Sequence, residues 1–245
     1  MKMVQANIWG GKLGQQIIDF LKAEKPDFVC MQEVNELEGR SGYKFFATLD
    51  EIKEGAGLGH VFMSPTYSAR YMEREVSYGN AILSRLPFGS TETIFTHREY
   101  IRNFDVERDG GNIRNLQIAT VKAGGKTLAL LNHHGYWIYG TKAGNDATLK
   151  QMRLVAEQIR RLKGPVIMCG DFNLAPDSES LSLINKELRN LTKEHGLKRT
   201  YTQLSPLDEI CDYIFVNDKI EVKSFRKSEE LISDHSALVM EFDLA

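Results

Sequence analysis

Residues able to bind a metal ion or move a proton stand at the ends of one apolar run after another in this chain. Asn7 lies near the end of the first run and Glu33 ends the second. His133 and His134 follow LALLN, Asp171 and Asn173 follow VIMCG, Asp212 opens YIFV, and Asp234-His235 stands before ALVMEF. A single carboxylate at a strand end is an ordinary solvated turn residue. Repetition along one chain, with acids set beside amides and imidazoles, points instead to a shared site on one rim. Carboxylates gathered there repel one another unless something neutralises them, and a divalent cation does so. Carboxylate and amide oxygens suit Mg²⁺ or Mn²⁺; there is no thiolate set and no H-x-x-x-H pair for zinc.

Three places carry most of this chemistry. Glu33 is the best metal-ligand candidate; the alternative, a Gln32-Glu33 helix-capping pair, fits poorly with the preceding FVCM run. In Gly170-Asp171-Phe172-Asn173, an Asp and an Asn two apart can face the same side of an extended turn. They would supply a base for water and an amide donor for a phosphate oxygen. An Asx-turn explains one of the two but not both. In Ser233-Asp234-His235-Ser236 the acid and the imidazole are expected to do different jobs, with a carboxylate from elsewhere holding the His235 tautomer.

The elements that must position these residues alternate between short apolar strands and amphipathic helices. Strands are expected over Met3–Trp9, Asp27–Glu33, His60–Met63, Asn80–Ser84, Thr91–Phe95, Ile113–Val121, Thr127–Asn132, Val166–Asp171, Asp212–Val216, Ile220–Phe225 and Ala237–Asp243. Helices are expected over Leu13–Ala23, Tyr43–Lys53, Thr148–Leu162 and Ser180–Leu188. Ala123-Gly124-Gly125-Lys126 signals a hairpin. Gly55, Gly57 and Gly59 follow no clear strand and read as a loop, not a phosphate cradle. About ten strands with helices at both ends of the order suggest two sheets packed face to face with helices outside, an α/β class. No linker divides the chain, so one domain over residues 1–245 is expected.

Composition narrows the function. Hydrophobic residues make up 42% and charged residues 26%, as in an ordinary soluble globular protein. No apolar run reaches membrane-spanning length, so no stable membrane association is expected. Nothing before Ile8 resembles a targeting segment, and a cytoplasmic monomer is the expectation. Cys30, Cys169 and Cys211 are far apart and flanked by apolar residues, as buried free thiols would be. A net charge of −2 argues against a long duplex gripped through many phosphates, so any nucleic-acid contact is short or local. There is no G-x-S-x-G elbow, which counts against a serine hydrolase.

Taken in order, ANIWGG, MQEVN, YGNAILSR, LLNHHGYW, GDFNLAPDS, DYIFVND and SDHSALVMEF resemble the successive motifs of the endonuclease/exonuclease/phosphatase superfamily, the DNase I-like proteins. The resemblance runs from Asn7 to His235. It implies a four-layer α/β/β/α sandwich and Mg²⁺-dependent (or Mn²⁺-dependent) phosphoester hydrolysis by activated water. It assigns Asn7 and Glu33 to the metal site. Asn132-His133-His134-Gly135 aligns with the family's N-x-H-x motif, making His134 the phosphate-contacting imidazole and His133 a spacer. Asp171 would orient or deprotonate the nucleophile, and Asn173 would bind phosphate. Asp212 would hold the motif histidine, Asp234 would bind metal or support a histidine, and His235 is the essential final histidine. Arg114 resembles an arginine near the scissile phosphate.

Substrate is less determined. The basic DNA-gripping loops of abasic-site endonucleases, the hydrophobic hairpin of sphingomyelinases and a basic inositol-polyphosphate pocket are not recognisable. The run His134, Tyr136, Trp137 resembles deadenylase-like branches and leans toward single-stranded nucleic acid or a nucleotide, since aromatic faces stack on bases. A packed aromatic loop is the alternative. A phospholipid or phosphomonoester hydrolase on the same fold, and a catalytically silent binding module, remain open as other functions.

Overall fold

In the computed structural model, residues 1–37, 46–71 and 74–245 are described. In chain order the elements begin β1 (Lys2–Asn7), α1 (Gly14–Glu24), β2 (Phe28–Glu36), α2 (Leu49–Ala56), β3 (His60–Tyr71), β4 (Arg74–Ser84) and β5 (Phe88–His97). Next come α3 (Val106–Asp109), β6 (Arg114–Ala123), β7 (Lys126–His134), α4 (Asp146–Arg161), β8 (Val166–Asp171) and α5 (Glu179–Asn185). The chain closes with β9 (Arg189–Asn190), α6 (Leu191–Glu194), β10 (Asp212–Val216), β11 (Ile220–Lys227) and β12 (Leu238–Leu244).

The strands form two six-stranded mixed sheets, ordered β11-β12-β1-β2-β4-β3 and β5-β6-β7-β8-β10-β9. Three apolar layers result. Met3, Phe28, Cys30 and Ile82 of the first sheet meet Leu130, Ile167, Cys169 and Ile214 of the second. The outer face of the first sheet packs on Ile17, Phe20 and Leu21 of α1 and on Leu49 and Ile52 of α2. That of the second packs on Met152, Val155 and Ile159 of α4 and on Leu181 and Ile184 of α5. This is the expected four-layer α/β/β/α arrangement. Central strands covered on both faces read as unbroken apolar runs, which is why β8 and β10 match their expected limits. All three cysteines are buried and free.

Toward one end, the layer between the sheets turns from apolar to amide. Gln5 Nε2 donates to Gln32 Oε1 (2.9 Å), and Gln32 Nε2 donates across to Asn132 Oδ1 (2.6 Å). Asn132 Nδ2 in turn reaches Gln117 Oε1 (2.8 Å) and Met31 O (2.9 Å). Asn80 Nδ2 donates to Asn115 Oδ1 (2.8 Å), and Asn115 Nδ2 to Ser64 O (3.1 Å). These side chains are buried, and a buried amide without partners would be costly.

Local chemistry explains where elements stop. The helix expected over Tyr43–Lys53 is instead α2, and residues 43–45 lie outside the described residues. Thr48 and Glu51 make a reciprocal capping box that starts it, and left-handed Gly57 (φ 66°) ends it. Gly55, expected in a loop, therefore lies inside the helix. The strand expected over His60–Met63 continues to Tyr71 because Ser64, Thr66 and Ser68 alternate inward as small buried polar groups. The hairpin between β6 and β7 is as expected, with φ positive at Gly124 (54°) and Gly125 (77°).

Candidate active site

Strand direction brings the polar strand ends to one rim. β1 and β2 are parallel, as are β7 and β8, so Asn7, Glu33, His134 and Asp171 all emerge at the same end. β10 runs antiparallel to β8 and its first residue, Asp212, pairs with Asp171. β12 runs antiparallel to β1, so Asp234 and His235, just before it, return to that rim. Of these, Glu33, His134, Asp171, Asp234 and His235 line, with Arg114 and Asn173, a cavity of about 400 Å³, while Asn7 and Asp212 stand behind it.

Glu33 reaches the cavity through a local defect. Opposite β4 the register slips between Met31 and Val34, leaving an extra residue in β2, and Glu33 sits there at φ 56°. A bulge re-aims a side chain that strand alternation would send elsewhere. A non-glycine residue in the left-handed region costs about 1 kcal/mol, so its neighbours must hold it there. Asn7 helps: its Nδ2 donates both to Glu33 Oε1 and to Asp171 Oδ2, each at 3.1 Å. Its oxygen accepts from the Trp9 N–H (3.1 Å), so Asn7 bridges two carboxylates here.

The charged groups are driven apart in their titration. Burial pushes the Glu33 carboxyl upward; the Asn7 amide and His235 pull it down, while Asp171 and Asp234 add to the rise. For Asp171 burial also works upward, but His235, His134, Lys142 and the Asn173 N–H (2.9 Å) prevail and hold it at about 2. Burial opposes charge on His235, yet Asp212, whose Oδ2 lies 2.8 Å from Nδ1, lifts it well above an ordinary imidazole. His134 is lowered by burial and by Arg114. These directions favour an anionic Asp171, a charged His235 and an uncharged His134. The two imidazole Nε2 atoms stand 3.9 Å and 3.7 Å from Asp171 Oδ2.

Among the described residues one close cluster of donors and one looser set of cavity-lining carboxylates bear on a metal. Asp171, Cys211, Asp212 and His235 bring ligand atoms within 4.8 Å of one another. This is better read as a hydrogen-bond chain: His235 Nδ1 is already engaged by Asp212, and burial pushes the Cys211 thiol up to about 12. Metals bind the thiolate. The cavity side fits a divalent cation better. Glu33, Asp171 and Asp234 face it together, and the latter two both raise the Glu33 pKa, a repulsion that a hard cation relieves.

The remaining expected residues fall as follows. His133 points away from the cavity, fully buried, with Nδ1 against Asn115 O (3.0 Å) and its ring edge-on to Phe172. Arg114 lines the cavity, its Nε donating to Gly135 O (2.7 Å). Trp137 also lines it and is 45% exposed, next to Tyr139 at 86%. Tyr136 instead packs edge-on against His97. Sequence reading overlooked Tyr201, whose ring lies 4.4 Å from that of His235, and Lys142, whose ammonium is buried beneath Asn173.

The human Nocturnin catalytic domain with bound sulfate anion matches 100% of this chain and 94% of its own, with TM-score 0.76 and 18% identity. D. rerio TDP2 complexed with single strand DNA product matches 99% of this chain and 98% of its own, with TM-score 0.69 and 19% identity. The mannosyl-6-phosphatase Bt3783 of Bacteroides thetaiotaomicron VPI-5482 matches 100% of both chains, with TM-score 0.71 and 17% identity. No curated protein matches by sequence. The family pattern described as Endonuclease/Exonuclease/phosphatase family matches residues 4–235. With its motifs in order over that span, the chain belongs to the endonuclease/exonuclease/phosphatase family, a family of metal-dependent phosphoester hydrolases.

Proposed function

We propose that this protein hydrolyses a phosphodiester of single-stranded nucleic acid or of a nucleotide, by attack of an activated water in the presence of Mg²⁺ or Mn²⁺. The observation that carries the reading is the rim itself, where an anionic Asp171 faces donors from His134, Asn173 and His235 across one cavity with Trp137 at its mouth. Asp171, ionised at neutral pH, accepts a hydrogen bond from water and directs its lone pair at phosphorus. A carboxylate with so low a pKa orients water well and removes its proton only weakly. His235, kept protonated by Asp212, donates from Nε2 to a phosphate oxygen, and the Asn173 amide donates to another. As the new P–O bond forms, the water's proton passes to the Asp171 carboxylate, the ester P–O bond breaks, and its electron pair leaves on the departing oxygen. A divalent cation held by Glu33, with Asp234 beside it and Asn7 supporting, would neutralise the charge on the phosphate and the leaving oxygen.

Trp137 supports the choice of substrate. Asn112 accepts from the Trp137 backbone N–H (2.7 Å) and donates to its carbonyl (2.9 Å), which fixes the main chain there, while the indole meets Tyr139 edge-on and stays 45% exposed. An exposed aromatic lining the same cavity as the phosphate-binding groups suits a base. The test is a panel of single-stranded oligonucleotides, a sugar phosphomonoester and a phospholipid, assayed with Mg²⁺ and Mn²⁺. Oligonucleotides should be cleaved fastest, and Trp137→Ala should raise their KM by about tenfold, the weight of one stacked base. Turnover of the monoester or lipid alone would overturn the choice of substrate, and turnover of nothing would leave a binding module.

A further inference from the structure

Asn173 is useful to a phosphate only one way round. A primary amide has nearly the same shape when flipped, yet one end donates hydrogen bonds and the other accepts them. Phosphate oxygens only accept. Asn173 therefore contributes when Nδ2 faces the ligand and opposes when Oδ1 does, and something must settle which end is presented.

The loop after β7 supplies it. Lys142 lies between left-handed Gly140 (φ 72°) and Gly144 (φ 91°), and its carbonyl accepts from the Ala175 N–H (2.7 Å). That bond ties the loop to the turn bearing Asp171 and Asn173. The lysine is only 5% exposed, rare for this residue unless it is paired. Its Nζ donates to Asn173 Oδ1 at 2.6 Å and lies 5.6 Å from the Tyr201 ring centre. On its other side, Asn173 Nδ2 makes a longer contact with Gly135 O (3.4 Å), and Asn173 lines the cavity.

We infer that Lys142 is a positioning residue that locks the Asn173 amide with its oxygen inward and its NH₂ toward the substrate phosphate. An ammonium suits this task because it has three donors and no acceptor. A flipped Asn173 would set NH₂ against NH₃⁺, donor facing donor, whereas a hydroxyl or amide in place of Lys142 could accept and would tolerate both orientations. The inference rests on the proposed contact between Asn173 and phosphate, and it adds a residue that touches no substrate.

The experiment compares the full chain with Lys142→Met, Lys142→Arg, Lys142→Gln, Asn173→Ala and the double variant Lys142→Met with Asn173→Ala. Steady-state kinetics on a single-stranded oligonucleotide are paired with calorimetric binding of inorganic phosphate, and thermal melting checks folding. Lys142→Met should lower kcat/KM and phosphate affinity by about tenfold, the equivalent of one lost hydrogen bond. Lys142→Arg, also donor-only, should restore both to within about threefold, and Lys142→Gln should restore less. In the Asn173→Ala background, Lys142→Met should have under about twofold effect, since no amide remains to orient. An undiminished effect in that background would mean that Lys142 acts by charge alone and would overturn the inference. So would Lys142→Met or Lys142→Gln matching the parent. If Lys142→Met fails to fold, the Arg–Gln comparison decides by the same criterion. If the parent cleaves no phosphodiester, the proposed function falls by itself, and phosphate binding still decides the role of Lys142.

Discussion

Replacing His133 by Asn removes a titratable ring from the interior while keeping an N–H close to where Nδ1 meets Asn115 O. The native ring is fully buried, its Nε2 has no partner, and burial lowers its pKa to about 4. An unfolded histidine titrates near ~6.5. Above that pH both states are neutral and His133 adds no pH dependence. As pH falls below it, the unfolded chain takes up a proton that the native site refuses until about 4. Stability is therefore full above the unfolded pKa and is lost toward the folded one, at about 1.4 kcal/mol per pH unit. Integrated from pH 7 to pH 5, the loss from this residue is about 2 kcal/mol. Asn at 133 does not titrate, but it leaves a small void worth about 1–2 kcal/mol at neutral pH. Urea unfolding from pH 5 to 8, with chelator present, should show the variant less stable at pH 7 and the two proteins converging near pH 5. Turnover of whichever phosphoester the parent cleaves should stay within about threefold, because the side chain faces away from the cavity. Parallel stability curves would refute the burial argument, and abolished turnover would put the motif one residue out of register.

Other consequences are direct. Glu33→Gln should weaken Mn²⁺ binding at least about tenfold in calorimetry while melting stays within a few degrees, because one carboxylate charge is lost from the set. Unchanged affinity would remove Glu33 from the metal site. Asp171→Asn and His235→Ala should each lower kcat by about 10² or more with little change in KM, since orienting water and stabilising charge act mainly in the transition state. Kinetics that show only a KM effect would contradict that assignment. Gly135→Ala would place a Cβ 2.0 Å from Phe172 O, and that peptide is itself held by the Phe172 N–H donating to Cys211 O (2.8 Å). Overpacking of this kind costs about 3 kcal/mol, or roughly 6–12 °C of melting temperature for a chain this long. An unchanged melt would show the backbone there to be more yielding than its contacts imply.

Much of the fold was legible because its central strands are covered on both faces. Val166–Asp171 and Asp212–Val216 could be bounded from their apolar runs alone. Legibility fell where buried positions are polar. Ser64, Thr66 and Ser68 hid most of β3, and the two-residue strand β9 is too short to carry a period. At the site, acids and imidazoles at strand ends announced themselves, since such residues have little structural reason to gather. Lys142 did not, because a lysine between glycines reads as a solvated loop tip and only the docking of two loops buries it. Tyr201 was equally silent: its position over His235 depends on the Tyr201–His235 bridge between segments distant in sequence. The bulge that turns Glu33 inward is likewise a property of the pairing with β4, and nothing in MQEVN marks it.

The amide rungs between the sheets bear on how far this scaffold can be redesigned. Apolar side chains facing each other across a sandwich tolerate slippage, since one methyl group serves nearly as well as the next. Amides do not, because the hydrogen bonds of each rung form at only one alignment. The Gln5–Gln32–Asn132–Gln117 run acts as a vernier between the half of the rim borne by β1 and β2 and the half borne by β7 and β8. It also touches the chemistry directly, since Gln5 Nε2 lies 3.2 Å from Asp212 Oδ1. A chimera joining one sheet of this protein to the other sheet of a relative would thus need matching amides before matching rim residues. An interior rebuilt wholly from aliphatics could melt higher and still let Glu33 and Asp171 drift out of mutual reach.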